Sequence, residues 1–281
     1  MLEMLLNPRK AKRKPWELFF VGFFYAAVSL LFVNWLFAGN SVFSGHISIL
    51  VITFTVMLSL PFMYYTIKME EENDVFNSGH SLIGGHSRAI GAFIWLFMGF
   101  LVAFSIFYIL FPQFVGTNFH AQIEQYCSIN MPFRFKECVS SAITTNALGV
   151  NSGRILDIIT NNLYVLLFCI IFSLVFGAGA IFILAWNATV IATAIGIFAG
   201  NSISNMPVAV MRYMLHGLPE IAAYFTAALA GGIISIALIR HDIQDKKFWT
   251  VIADSINLIL ISIVILIIAA LIEVFITPRI F

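Results

Sequence analysis

The chain has 281 residues, of which 60% are hydrophobic and only 10% charged, against about 25% charged in ordinary soluble domains. A fold of this length cannot hide so much apolar surface from water, so a soluble globular protein is excluded and an integral membrane protein is expected. The formal net charge of +1 exerts no pull on nucleic acid, so no nucleic-acid partner is expected and function lies in local features.

A basic cluster, Arg9, Lys10, Lys12, Arg13 and Lys14, precedes the first apolar run, Leu18 to Ala38. The run exceeds the roughly 7–15 residues of a signal h-region and lacks a clean cleavage pattern near Ala38–Gly39, so it is a retained transmembrane helix. A span needs about 20 apolar residues. Such runs fall at 17–38, 46–67, 89–111, 218–239 and 250–276. Backbone groups cannot stay unpaired in lipid, so all are helical and the fold class is all-α, a polytopic transmembrane helix bundle. The whole chain, 1–281, is one integral membrane domain.

Between the second and third runs lies a loop, 68–88, with Glu70, Glu71, Glu72 and Asp74 followed by His80 and His86. Both histidines read as loop residues. The 112–160 loop is the largest non-membrane piece and is too short for an independent domain. It is expected to form one or two amphipathic helices on the membrane surface. It holds Cys127 and Cys138, which pair as a disulfide if the loop is extracytoplasmic; two free thiols are the alternative. Cys169 lies in an apolar run and reads as buried. The stretch 161–200 is too long for one straight span, and it bends most easily at Gly177-Ala178-Gly179-Ala180.

Lys and Arg excess marks the cytoplasmic side. A cytoplasmic N-terminus puts the 68–88 loop inside and the 112–160 loop outside. The loop after 218–239, with Arg240, Lys246 and Lys247, is inside only if 161–200 crosses an even number of times. That stretch is therefore a tight transmembrane hairpin or a re-entrant pair. The count is seven helices, or six with the pair as one unit, and an extracytoplasmic C-terminus in the cell membrane. Ten Lys and Arg residues then face the cytoplasm and five face out.

Ala223, Ala227, Gly231 and Ser235 recur every four residues, the small-residue stripe that lets helices approach closely in lipid. It is expected to pack against the small patch 177–180. Ionisable residues inside a span are functional-site candidates by default. Glu220 and Glu273 sit on consecutive antiparallel helices. Counted from the loop between them, their heights differ by only about 5 Å at 1.5 Å rise per residue, so they can meet, with His216 at the same level. This group suits a divalent metal, a shared proton or a cationic ligand. Against it stands a structural alternative: Pro219 at the first helical position, Glu220 in the first turn, and His216-Gly217 as the turn before the helix. Arg212 would neutralise either glutamate. Asn187, after Trp186, would bridge helices or bind a ligand. Asn161 and Asn162 would cap the first arm of the hairpin. Asp254, Ser255 and Asn257 would be solvated or pair with Lys246 or Lys247. No P-loop, H-E-x-x-H or G-x-S-x-G pattern occurs, so the common nucleotide-driven and hydrolase signatures are missing.

Three segments carry a resemblance. The first comprises Asn161-Asn162, Gly177-Ala178-Gly179-Ala180-Ile181-Phe182 and Trp186-Asn187. The second comprises His216-Gly217-Leu218-Pro219-Glu220, Ala222-Ala223-Tyr224-Phe225 and Leu229-Ala230-Gly231-Gly232-Ile233-Ile234-Ser235. The third is Ile272-Glu273-Val274-Phe275-Ile276-Thr277-Pro278. Together they resemble the stage II sporulation protein M family, its archaeal branch most closely, strongly over 150–281. The first 110 residues match more loosely, through Asn7-Pro8 and Glu70–Glu72. The resemblance implies a member of a membrane complex, since the namesake works with peptidoglycan-remodelling partners during engulfment in spore-forming bacteria. The archaeal-type members belong to cells that neither sporulate nor carry ordinary peptidoglycan, so the shared activity is not spore-specific. No catalytic residue transfers, although His216, Glu220, Asn187 and Glu273 fall on motif positions. The expected function is a non-enzymatic component or scaffold of a membrane complex. The expected partners are the bilayer, membrane proteins or further copies of the chain. One alternative is a transporter or lipid-handling protein with a polar site between the 161–200 hairpin and the 218–239 helix. The other is an intramembrane enzyme using a divalent metal on His216, Glu220 and Glu273.

Overall fold

A computed structural model describes residues 14–37, 39–40, 42–76, 82–143, 155–176, 180–200, 202–240 and 246–280. In chain order the helices are α1 (Glu17–Phe37), α2 (Ile47–Phe76), α3 (Leu82–Leu110), the short α4 (Val115–Asn118), α5 (His120–Asn130) and α6 (Phe135–Ile143). Then come α7 (Ile155–Phe176), α8 (Ala180–Ala199), α9 (Met206–Arg240) and α10 (Lys246–Leu271), a π-helical turn (Ile272–Ile276) and α11 (Thr277–Ile280). Among the described residues there is no strand. Seven helices, α1, α2, α3, α7, α8, α9 and the α10–α11 rod, are long and apolar enough to cross a membrane. The architecture is the expected all-α bundle.

The stretch 161–200 resolves into two full helices, the hairpin alternative. Its first arm starts at Ile155, so Asn161 and Asn162 lie inside the helix and do not cap it; the Asn161 amide donates to Asn162 at 3.2 Å. Residues 177–179, where the bend was expected, lie outside the described residues, as does His80.

Helix α9 is the centre: it packs on α10, α7, α8, α2 and α3, and its span is the most buried of the seven. The small-residue stripe explains this. A Cβ at Gly231 would lie 2.8 Å from the Ile170 carbonyl oxygen of α7. The stripe thus packs on the middle of the first hairpin arm. Phe93 and Phe97 of α3 close on Phe225 of α9, with ring centroids 5.3 and 6.3 Å apart. Helices α1 and α3 touch through glycine: a Cβ at Gly22 would come 2.1 Å from the Leu96 oxygen, and one at Gly99 would come 2.2 Å from the Phe19 oxygen.

Helices α4, α5 and α6 form a cap over one end of the bundle. They do not lie as separate amphipathic helices on the membrane surface. Ile123, Tyr126, Cys127, Cys138 and Ala142 are buried in the same apolar core as the spans, because α5 rests on α8. A disulfide joins Cys127 of α5 to Cys138 of α6. Three side-chain ties fix the cap to the spans. Trp186 of α8 donates to Gln125, Tyr108 of α3 donates to the Ala142 carbonyl at 3.2 Å, and Asn34 of α1 and Asn118 of α4 exchange amide bonds of 2.7 and 3.1 Å.

Candidate functional site

Helix α9 begins at Met206, ten residues before His216. The predicted helix start at Pro219 is therefore wrong: Pro219 lies inside a continuous helix. Residues four apart share a helical face, so Arg212, His216, Glu220 and Tyr224 form one polar stripe. The signal that marks the true start is Pro207, in the first turn where a missing N–H costs nothing. Arg212 and His216 masked it by lowering the local hydropathy.

Tyr224 donates its hydroxyl proton to Glu220 Oε1 at 2.7 Å. His216 Nδ1 lies 3.2 Å from Thr277 Oγ1 at the end of the rod, and Thr277 itself donates to the Ile272 carbonyl at 3.2 Å. The hydroxyl has one proton, and the carbonyl takes it. With that proton on the carbonyl, a neutral His216 donates from Nδ1 and carries its lone pair on Nε2. Glu273 occupies the π-helical turn between α10 and α11, a distortion often found at functional sites. It lies within electrostatic reach of Glu220, Tyr213 and Tyr224.

Arg212 does not neutralise them by an ion pair. Its guanidinium stands 4.9 Å over the ring of Phe198, a cation–π contact with α8. Beside it the buried Tyr213 hydroxyl lacks a well-formed hydrogen bond, and Tyr126 of the cap faces it. Burial pushes the Tyr126 hydroxyl above the ordinary tyrosine range.

His216 and Glu220 are turned to different partners, Thr277 and Tyr224. Among the described residues no three His, Cys, Asp or Glu side chains stand as a group able to hold a metal ion. The expected metal set His216, Glu220 and Glu273 does not form. Asn187 is also separate: its amide donates back to Ile183 of its own helix at 2.8 Å, and the bridging falls to Trp186. The expected pairing of Asp254 with Lys246 or Lys247 lies outside the described side chains.

A second buried polar pair was not expected. His86 Nδ1 meets Glu70 Oε2 at 2.8 Å, with the two side chains 4% and 0% exposed. It ties α2 to α3 at the end of the bundle away from the cap.

The sequence profile described as stage II sporulation protein M matches residues 18–278. An uncharacterised protein of Methanocaldococcus jannaschii is similar, 35% identical over 129 residues, which are 44% of this chain and 71% of the relative. No solved structure matches.

Proposed function

Since the chain belongs to the stage II sporulation protein M family, we propose that this multi-pass membrane protein is a non-enzymatic component of a membrane complex, holding its cap out to a protein partner. The observation that carries this reading is the cap itself. A disulfide and three side-chain ties make it a rigid extension of the bundle. At its tip Phe133 is 101% exposed, with Ile129 half-exposed beside it. A fixed aromatic anchor is what protein interfaces use to concentrate binding energy.

The orientation belongs to the same proposal: N-terminus cytoplasmic, cap and C-terminus extracytoplasmic. The lysine and arginine distribution supports it, and so does a disulfide in the cap, since such bonds persist in oxidising compartments. The test is photo-crosslinking from position 133 in native membranes, followed by purification in mild detergent. A discrete cross-linked partner, lost about tenfold or more in Phe133→Asp with the chain still folded, is the expected result. Repeated isolation of the uncross-linked chain alone would sink the reading.

One observation favours a second function, a transporter or lipid-handling protein. Glu220 lies within electrostatic reach of Glu273, and neither makes an ion pair with a described residue. Unneutralised carboxylates at such depth are how many transporters hold protons or cations. Liposomes carrying the protein should then show an ion flux that Glu220→Gln and Glu273→Gln both abolish. Sealed, inert liposomes would end this alternative.

A further inference from the structure

The bundle has a groove at the end away from the cap, about 350 Å³ in volume, between α2, α7 and α9. Its lining is Tyr64 and Lys68 of α2, Val175 and Phe176 of α7, and Ser235, Ile236 and Ile239 of α9. Val175, Phe176, Ile239 and Tyr64 are exposed, so the groove opens sideways, toward the hydrocarbon of the bilayer. Whatever fills it enters from the lipid.

The polar groups in it can all donate. Lys68 only donates, and it makes no ion pair or hydrogen bond with any described residue. The Ser235 hydroxyl likewise bonds to no described residue. The Tyr64 hydroxyl adds a third donor. The position of Lys68 is also defined. From Ile47 to Ile67 the helix climbs about 31 Å at 1.5 Å per residue, the thickness of the hydrocarbon layer. Lys68 is the next residue, at the level of the lipid phosphates. Val175 and Phe176 close α7 and Ile239 is the last residue but one of α9, so the apolar walls stand at the same interfacial end as Lys68, with the Tyr64 and Ser235 hydroxyls about one helical turn deeper.

We infer that this groove binds an anionic phospholipid of the leaflet opposite the cap, its phosphate on Lys68, its ester carbonyls on the deeper Tyr64 and Ser235 hydroxyls, and its glycerol region between the apolar walls of Val175, Phe176, Ile236 and Ile239. Basic pockets between spans are a recurrent form of such sites. The inference is independent of the partner proposed above and of which leaflet is cytoplasmic.

The test is native mass spectrometry of the full-length protein in detergent, with phosphatidylglycerol and phosphatidylcholine of identical chains, and inorganic phosphate as a third arm. Phosphatidylglycerol adducts should exceed phosphatidylcholine adducts at least about fivefold, the preference one lysine near a membrane surface supplies. Lys68→Gln should bring the two lipids level and Lys68→Arg should keep the preference. Val175→Trp fills the groove from an exposed position, so it should remove the bound lipid without disturbing the core. Equal binding of both lipids by the unaltered protein, or full retention in Lys68→Gln, would overturn the inference. Displacement of phosphatidylglycerol by millimolar phosphate would also overturn it, by showing a site for the free anion.

Discussion

The bond from Tyr224 to Glu220 is the best-defined polar contact in the intramembrane cluster, and it lies along one helix face. A hydroxyl donated to a buried carboxylate contributes about 1–3 kcal/mol. Tyr224→Phe should therefore lower the midpoint of unfolding in mixed detergent micelles by an amount in that range. Glu220→Gln keeps an acceptor oxygen for the same proton and should lower it less. The reverse order would show that the bond contributes nothing to stability. That Glu220 and Glu273 lie within electrostatic reach of each other was legible, because both their depths follow from counting residues along antiparallel helices. The Glu70–His86 pair was not. Hydropathy runs stop at 67 and resume at 89, whereas the helices continue past the lipid to Phe76 and from Leu82. Two residues in what reads as a loop thus became buried partners on facing helix ends. Asn187 shows the opposite failure. A lone amide on an apolar helix suggests a bridge, but nothing in the sequence says whether it bonds outward or to its own backbone.

Helix contacts in lipid lack a hydrophobic driving force, so they depend on close backbone approach. The α1–α3 crossing makes the dependence testable within one helix. At Gly99 a Cβ would come 2.2 Å from a backbone oxygen, whereas at Gly91 it meets nothing within 4 Å. Gly99→Ala should cost about 1–3 kcal/mol or more through forced separation of the helices. Gly91→Ala should be neutral or stabilise by up to about 1 kcal/mol, because alanine is the better helix former. Equal effects in the same unfolding assay would mean that the crossing does not depend on glycine. Five spans could be placed from apolar run length alone; charge parity asked for an even number of crossings in 161–200 but left a full hairpin and a re-entrant pair open. Helix ends could not, since amphipathic extensions such as 206–217 continue a helix beyond the lipid without an apolar run to mark them. The small-residue stripe on α9 was found; at Gly231 the fold sets it against Ile170 and Ser173, whereas residues 177–179 of the expected partner patch lie outside the described residues.

At the scale of the molecule, the spans and the cap form one body. Its only described covalent cross-link, Cys127–Cys138, closes a loop with a sequence separation of 11, for which chain entropy predicts a stabilisation of about 3 kcal/mol. Replacing both cysteines by serine should speed hydrogen exchange across 115–143 while leaving exchange in α3 and α9 unchanged. Acceleration spread evenly over the spans would show that cap and bundle unfold together. Tyr126 and Cys127 reach into the shared core, but the cap could not be seen as part of the bundle from hydropathy, which separates polar loop from apolar span by composition alone.

The π-helical turn at Ile272–Ile276 sets an angle. An α-helix advances about 100° per residue, and a π turn holds one residue more than an α turn in the same rise. Everything beyond it is therefore out of phase with α10 by roughly that rotation. Shortening the segment by one residue would restore the regular winding and swing Thr277 about 100° away from His216. The meeting of the two helices at the polar cluster thus depends on a single surplus residue, and the rod's end points where it does because the chain there is one residue too long for an ordinary helix.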